Sequence, residues 1–298
     1  MKRMLIWTLT LALVALSGCF WSGTQPTPSA APSATSDAAT TDAPNAQANN
    51  GTYADGHYFA AEEGFTDGWK NFMAFTVQDG RITEATWDCL PEDGSKLKST
   101  LAAEGTYSMK AGGAQLEWDA QSKLFTDAII QNQGLPTTEF DANGKTDAVS
   151  GVTIRVDEAS SLFEAALAQG PLPQGELQDG FYYAEAQQYD NDGYREFVSM
   201  YISGGRIVEV NWNSAQQDSN ATKKSLGDSY GMKSASGIGA EWYQQAEAFE
   251  QYVIDNQGVG NLTTEESGKT DAISGCTISV SGAQALTEQI LTQARAAN

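Results

Sequence analysis

The chain contains one long segment twice, and corresponding residues of the two copies lie about 124 positions apart. The closest match joins residues 144–154 to residues 268–278, which are identical at nine of eleven positions. The same spacing relates Asn132-Gln133-Gly134 to Asn256-Gln257-Gly258. Self-similarity at a fixed period indicates a repeated structural unit. The chain is therefore expected to contain two copies of one domain.

The domain boundaries are expected where the repeat begins and ends. The first copy is predicted over residues 52–169 and the second over residues 178–298. Residues 170–177 form the predicted linker, in which Pro171 and Pro173 restrict the backbone. A short, stiff linker should hold the two copies near each other.

Each copy is expected to begin with strands and to end with helices, which favours an α+β fold with an antiparallel sheet in each copy. In the first copy, strands are predicted over residues 53–61, 72–77 and 81–87, with a tight turn at Asp79-Gly80. The second copy has its predicted strands at residues 181–186, 196–202 and 206–212.

Helices are predicted from the spacing of apolar residues. Trp118, Phe125 and Ile129 recur at helical intervals within residues 115–133, and Gly134 is well placed to end that helix. The apolar face should pack against the sheet. The remaining predicted helices are residues 158–168, with Asp157 as the N-cap, and residues 283–296, after Ser281.

The N-terminus has the order of features found in a bacterial lipoprotein signal. Lys2 and Arg3 precede an apolar run over residues 4–16 that is too short to span a membrane. Leu16-Ser17-Gly18-Cys19 follows and resembles the lipobox, so residues 1–18 should be removed and Cys19 acylated, for example with palmitate. Acyl chains would anchor the protein to the outer face of the bacterial cytoplasmic membrane. The alternative is an ordinary secretory signal that happens to contain a cysteine.

Residues 19–51 are expected to form a disordered tether. They consist mainly of Ser, Thr, Ala, Pro, Asn and Gln, which cannot bury enough apolar surface to offset chain entropy. The whole chain has a net charge of −21. So negative a surface disfavours nucleic acid and anionic lipid as partners.

Cysteine and histidine are too sparse for several kinds of site. Apart from Cys19, the chain has Cys89 and Cys276, which either pair as a disulfide or remain free thiols. His57 is the only histidine, so a histidine-based catalytic triad or a zinc enzyme has little to build on. His57 is expected to be an ordinary polar residue of the first strand.

The segment from Asp147 to Thr153 is a small, hydroxyl-rich turn. Gly151, which lies near Ser150 and Thr153, has no side chain, so a bulky ligand could approach the backbone there. Backbone N–H groups and the two hydroxyls could hold a phosphate there. The residues alone leave open a phosphate-type ligand or a turn without a ligand.

Both copies resemble the FMN-binding domain family, which includes the flavin-carrying subunits of ion-pumping bacterial NADH and ferredoxin oxidoreductases. The family motif is Asp, two variable residues, Ser or Thr, Gly, Ala and Thr, and an ApbE-type flavin transferase joins FMN to the last Thr through a phosphodiester bond. The resemblance implies two covalent FMN groups, on Thr153 and Thr277. Val152 and Cys276 stand where the family has Ala. The matching residues are Asp147, Ser150, Gly151 and Thr153 in the first copy, and Asp271, Ser274, Gly275 and Thr277 in the second.

Candidate contacts for the flavin ring are aromatic and sulfur-containing residues found in both copies. Tyr230 and Met232 are the preferred candidates, because they lie beside Gly231 in an expected loop, and Met109 is the candidate of the first copy that matches Met232. Tyr107, Trp118 and Trp242 are further candidates, although the helical spacing of the two tryptophans favours a place in the core. Lys145 and Lys269 are either solvated turn residues or cations near the FMN phosphate.

The expected function is electron transfer by a lipid-anchored flavoprotein. The layout resembles two-domain flavolipoproteins that pass electrons from a membrane donor to extracellular acceptors. No nucleophile, base and orienting group occur at spacings typical of a hydrolytic site, so a carrier is favoured over a stand-alone enzyme. The alternatives are a lipoprotein that binds flavin or another ligand non-covalently, and a surface interaction protein that has lost the cofactor.

Overall fold

The same order of strands and helices occurs in the two halves of the chain. The computed structural model describes residues 53–296, so the predicted signal peptide, Cys19 and the tether lie outside the described residues. Within that range the fold is mixed α and β, with two three-stranded antiparallel sheets and six α-helices, in keeping with the expected α+β class. The first copy contains β1 (Gly56–Ala61), β2 (Trp69–Gln78), β3 (Arg81–Pro91), α1 (Lys98–Ala103), α2 (Trp118–Asn132) and α3 (Asp157–Gln169). The second contains β4 (Gly180–Glu185), β5 (Tyr194–Ser203), β6 (Arg206–Gln216), α4 (Lys223–Leu226), α5 (Trp242–Asn256) and α6 (Ser281–Ala296).

The hairpin between β2 and β3 closes at the predicted turn. Asp79 and Gly80 have φ angles of 53° and 72°, and two successive positive φ values define the type I′ turn that suits twisted strands. The Asp55 carboxylate accepts a hydrogen bond from the Gly80 N–H at 2.8 Å. In the second copy, Asp179 accepts one from the Gly204 N–H at 2.9 Å. The aspartate before each first strand therefore holds the hairpin of its own copy.

The central strand β2 is buried on both faces. Met73 and Phe75 lie in the core that the sheet forms with α2 and α3, whereas Phe72 and Ala74 lie in a smaller cluster that includes residues of the second copy. Alternate side chains of a strand point to opposite faces. Burial on both faces explains why this strand is an almost unbroken apolar run.

The apolar faces predicted for the long helices are confirmed. Trp118 is 5% exposed, and Phe125 and Ile129 are fully buried. The Trp87 ring of β3 meets the Trp118 ring edge-on, with centroids 5.3 Å apart. In α5, the equivalent residues Trp242, Phe249 and Val253 are buried in the same way.

The end of α2 differs from the expectation in one residue. The left-handed position is Gln133 (φ 54°) rather than Gly134. A glutamine holds this strained conformation because its side chain is bonded at both ends: Oε1 accepts from the Ile82 N–H at 2.8 Å and Nε2 donates to the Ile82 carbonyl at 3.0 Å. The helix end is thereby tied to the start of β3.

The predicted N-cap of α3 is wrong. Val156 occupies the N-cap position, and Asp157 is the first helical residue. The Asp157 carboxylate instead accepts from Arg155 Nε at 2.6 Å and from the Glu158 N–H at 3.0 Å. Its attraction to the guanidinium group explains why it does not cap the helix from outside.

The two copies pack against each other, and the linker runs along both. The Leu172 N–H donates to the His57 carbonyl at 2.7 Å, and the Gly175 N–H donates to the Gly204 carbonyl at 3.0 Å. The Phe72 and Tyr201 rings, one from each copy, have centroids 4.3 Å apart. These contacts agree with the expectation that a short linker keeps the copies close together.

Replacing Asp88 should show how a buried carboxyl group affects stability, because the second copy has an asparagine at the equivalent position. Asp88 is 3% exposed and accepts from the backbone N–H groups of Ser99 (3.0 Å) and Cys89 (2.7 Å). The equivalent Asn213 accepts from the Lys224 N–H at 3.1 Å and the Ser214 N–H at 2.8 Å. Burial raises the pKa of the Asp88 carboxyl above 3.8 despite these bonds.

A raised folded-state pKa means that Asp88 favours folding below the unfolded pKa and loses that contribution as pH rises through the folded pKa. We expect Asp88→Asn to gain stability relative to wild type between about pH 4 and pH 7. Asp88→Ala, which orphans two buried N–H groups, should lose about 1–3 kcal/mol. Urea unfolding at both pH values measures this, and equal losses in the two variants would contradict it.

Candidate functional site

The motif of each copy forms a four-residue turn between its two long helices. The Val152 N–H donates to the Val149 carbonyl at 3.2 Å, and Gly151 between them has a φ of 88°. In the second copy the Cys276 N–H donates in the same way, and Gly275 has a φ of 82°. A type II turn needs a positive φ at its third residue, which glycine adopts without strain. The motif glycine is therefore explained by the turn alone.

Val152 and Cys276 point into the interior. They are 6% and 4% exposed and belong to the hydrophobic cores of the first and second copy. The next residue in each copy, Thr153 or Thr277, lies nearer the surface. The extra bulk at the position where the family has Ala is therefore accommodated in the core.

A buried glutamine holds the threonine in each copy. Gln121 Oε1 accepts from the Thr153 N–H at 2.7 Å and from its hydroxyl at 3.1 Å. Gln245 Oε1 accepts the same pair of bonds from Thr277, at 2.8 and 3.0 Å. The Thr277 hydroxyl has a second acceptor within reach, the Ser236 carbonyl at 3.2 Å. In both copies the hydroxyl proton faces the protein, which leaves the oxygen lone pairs available.

In each copy the loop that contains the predicted methionine, Met109 or Met232, is held by the glutamate that precedes the same helix. Glu117, which precedes α2, accepts from the Met109 N–H at 2.6 Å, and Glu241, which precedes α5, accepts from the Met232 N–H at 2.7 Å. Each glutamate lies four residues before the glutamine that holds the threonine, so the two side chains share one side of the helix. Gln245 Nε2 also approaches the Met232 sulfur at 3.7 Å. One helix thus brings the predicted threonine and methionine together in each copy.

A lysine among three aromatic rings completes the repeated arrangement. Lys98 Nζ lies 5.1 Å from the ring centroids of Trp69 and Tyr107 and 5.4 Å from that of Trp118. Such distances allow cation–π attraction. In the second copy, the equivalent Lys223 Nζ lies 4.8, 5.6 and 5.4 Å from the ring centroids of Tyr194, Tyr230 and Trp242. Burial lowers the pKa of Lys223.

In the second copy these groups surround a cavity of about 660 Å³. Thr277, Tyr230 and Met232 line it together with Lys223 and Lys269. Small-molecule sites in proteins typically occupy about 300–1,000 Å³ and combine apolar walls with a few polar groups. A hydroxyl, aromatic rings and two cations suit a ligand with a flat ring system and a phosphate, so the residues present fit FMN.

One difference between the copies at this site lies at a half-buried position. Trp212 Nε1 donates to Glu196 Oε1 at 2.7 Å, whereas the equivalent Trp87 Nε1 donates to Asn71 Oδ1 at 3.2 Å. Burial raises the pKa of Glu196. The second site therefore contains an acidic group that is replaced by a neutral amide in the first.

Some predicted residues lie away from the cavity. Asp147, together with Lys145, lines a separate depression of about 430 Å³. Asp271, Ser274 and Gly275 lie exposed on the turn, as do Ser150 and Gly151 in the first copy. The side chains of Asp147 and Asp271 make no hydrogen bond to another residue between 53 and 296.

The thiols and the histidine are structural residues. Cys89 and Cys276 are both free and buried, so the open question of a disulfide is answered against one. His57 lies in β1, with its Nδ1 3.2 Å from the Thr76 hydroxyl. Among residues 53–296, no three His, Cys, Asp or Glu side chains are grouped as a metal site requires. None of the helices in that range combines the length and apolar composition needed to span a membrane.

Sequence reasoning missed the glutamines, the glutamates and the lysines of this arrangement. Each has an identical counterpart in the other copy at the repeat spacing. Comparing the copies for shared polar residues, rather than for motifs, would have found them. The pairs are Gln121 with Gln245, Glu117 with Glu241, and Lys98 with Lys223.

Two solved structures are similar to part of the chain. No family model and no curated protein matches the chain. A protein from Clostridium thermocellum, whose structure was determined by solution NMR, has 35% sequence identity to this chain. The match covers 40% of this chain and 92% of that protein, with a TM-score of 0.32. A protein from Clostridium perfringens, known from a crystal structure, has 27% sequence identity to this chain. The match covers 41% of this chain and 92% of that protein, with a TM-score of 0.33.

Proposed function

We propose that the chain is an extracytoplasmic electron carrier with two FMN groups attached covalently to Thr153 and Thr277. The observation that carries the proposal is the repeated arrangement around each threonine. In both copies a buried glutamine accepts the hydroxyl proton and its Nε2 approaches the methionine sulfur, and a lysine lies among three aromatic rings. In the second copy these groups line one cavity together with Thr277. A structural turn alone would not require these groups to be retained in both copies.

Covalent attachment suits a protein outside the cell, where a dissociated cofactor is lost to the medium. An ApbE-type transferase would take FMN from a flavin dinucleotide: the threonine oxygen bonds to the FMN phosphorus while the pyrophosphate bond breaks, the nucleoside monophosphate leaves, and the hydroxyl proton passes to water. The exposed turn that carries Thr153 is open to such an enzyme. Bound FMN supplies one- and two-electron transfer, and the protein supplies position and electrostatics. Lys223 and Lys269 are the cations placed to attract its negative groups.

The groups around the proposed cofactor support the role of a carrier over that of a stand-alone enzyme. The polar groups nearest the threonines hold the backbone or face aromatic rings, and none forms a nucleophile–base pair. A membrane electron donor would reduce the flavins, and extracellular acceptors would oxidise them. The lipid on Cys19 would keep the carrier at the membrane surface.

The test is to coexpress the chain with an ApbE-type flavin transferase and to denature the purified product. We expect flavin fluorescence that migrates with the protein band, and an intact mass raised by two FMN groups. Expression without the transferase is the control and should give a colourless band. Flavin that is present in the native protein but lost on denaturation would favour non-covalent binding. A colourless native protein would contradict both.

A further inference from the structure

A carboxyl group, that of Glu196, is built into the wall of the cavity that contains Thr277. Its side chain is half-buried and lines that cavity together with Thr277 and Lys223. Oε1 accepts from Trp212 Nε1 at 2.7 Å, and the Ala283 N–H at the start of α6 also stabilises the ionised form. Glu196 therefore has a fixed position beside the proposed flavin.

The start of α6 leaves room for this carboxyl group. A Cβ atom at Gly282 would collide with Glu196 Oε2, so a larger residue there would displace the glutamate. In the first copy the counterparts of Glu196 and Gly282 are Asn71 and Glu158. The strand residue and the helix residue thus differ together between the copies, and the repeated fold does not require a glutamate at this place.

The nearest carboxyl group of the first copy has different partners. Glu62 accepts from the Asn71 N–H at 2.8 Å and from Asn71 Nδ2 at 3.1 Å, and it interacts electrostatically with Arg155. A guanidinium group keeps its proton in proteins, whereas a buried lysine can release one. Glu196, which faces Lys223, is therefore the carboxyl group whose surroundings allow its charge to change.

The surroundings of Glu196 favour its protonated form. Burial raises its pKa above 4.5, and the charge of Asp190 acts in the same direction, although Trp212 and Lys223 oppose the shift. Burial also lowers the pKa of Lys223, so the ionised form is disfavoured in both partners. The charged and titratable groups that line the cavity with Glu196 are Tyr189 and Asp190 from the loop before β5, Tyr194 from β5, Lys223 from α4, Tyr230 from the turn after α4, and Lys269 from the loop before the motif.

We propose that Glu196 accepts a proton when the FMN attached to Thr277 is reduced. This inference rests on the proposed function. When the membrane donor gives up two electrons, the Glu196 carboxylate takes one proton from water to form an O–H bond, and a nitrogen of the flavin ring takes a second. A carboxylate is repelled by a ring that gains negative charge, and protonation removes the repulsion. Reduction then leaves the summed charge of the carboxyl group and the ring unchanged.

The midpoint potential of the flavin on Thr277, measured against pH, tests the proposal. Thr153→Ala leaves that flavin as the only one on the chain, and Glu196→Gln is compared with Glu196 in this background over about pH 5–9. With Gln, we expect the equilibrium constant for reduction to be about tenfold larger at the alkaline end, which is about 30 mV for two electrons. The difference should vanish towards the acidic end, because a protonated glutamate is neutral like glutamine.

The first flavin and the unmodified chain provide the controls. In the Thr277→Ala chain, Glu196→Gln should leave the potential of the flavin on Thr153 unchanged. A second readout needs no flavin: the unmodified chain is labelled with carbon-13 at its glutamate carboxyl groups. The resonance that Glu196→Gln removes should titrate above about pH 4.5.

The proposal is overturned if Glu196→Gln changes the potential by the same amount at every pH, which is the result expected of a residue that only holds the start of α6. It is also overturned by an unchanged potential, by an equal shift of the flavin on Thr153, or by a Glu196 carboxyl group that titrates below about pH 4.5. A chain whose Thr277 receives no flavin would contradict the proposed function itself, and the inference would fall with it.

Discussion

A chain carrying both Thr153→Ala and Thr277→Ala is expected to leave coexpression with a flavin transferase without any flavin that survives denaturation. Each single variant should keep about half of the fluorescence per chain. The reason is chemical: alanine has no oxygen to form the phosphodiester, and the two threonines lie in separate copies with separate anchors, Gln121 and Gln245. Additivity is expected for distant, independent sites.

The measurement is in-gel fluorescence normalised to total protein, together with the intact mass of each variant. Thr153→Ser and Thr277→Ser retain a hydroxyl and should remain modified. Thr263→Ala, an exposed threonine outside the motif, should behave as wild type. Flavin that stays bound to the denatured double variant would show that another residue is the attachment point, and the proposed function would need revision.

Removing Lys70 is expected to destabilise the protein strongly. Lys70→Met leaves Glu209 buried between the copies without its partner at 2.7 Å. Losing one member of a buried pair costs about 3–5 kcal/mol in the free energy of unfolding, because the remaining charge is uncompensated. Lys96→Met is the control: its partner Glu104 and Lys96 itself are 45% and 50% exposed, so the loss should be within about 1 kcal/mol.

The effect of Lys70→Met should depend on pH. Burial raises the pKa of Glu209 above 4.5 even with Lys70 present, and without the lysine the pKa should rise further. A carboxyl with a raised folded-state pKa favours folding below its unfolded pKa and loses that contribution as pH rises through the folded pKa. The deficit should therefore be largest at neutral pH and shrink towards about pH 4.5. Lys70→Met/Glu209→Leu should recover most of the stability, and a deficit unchanged by pH or by the second substitution would contradict the explanation.

Elements with a strong local pattern could be predicted from the sequence, and those without one could not. Helix α2 was predicted because Trp118, Phe125 and Ile129 repeat at helical spacing, and the β2–β3 hairpin because Asp79-Gly80 suits a type I′ turn. Helices α1 and α4, of six and four residues, are too short to show a period. Strand β2 begins at Trp69, earlier than predicted, because its first residues are less apolar than its centre.

The residues of the site can likewise be divided into those that a local sequence pattern predicts and those that it does not. A motif resemblance pointed to Thr153 and Thr277, but no local pattern marks Gln121, whose role depends on a turn more than thirty residues later. The ion pair between Lys70 and Glu209 could not be predicted from the repeat, because it joins two strands that are far apart in the sequence.

The pair formed by Lys70 and Glu209 has a consequence for symmetry. In a two-fold homodimer, a contact from residue i to residue j is matched by one from j to i. The reciprocal partners would be Arg195 and Glu84, but Arg195 pairs with Glu185 of its own copy at 2.9 Å, and Glu84 is exposed. The contact between the copies is therefore heterologous rather than isologous. Fusion into one chain has released each copy from self-complementarity, so the two surfaces can diverge independently.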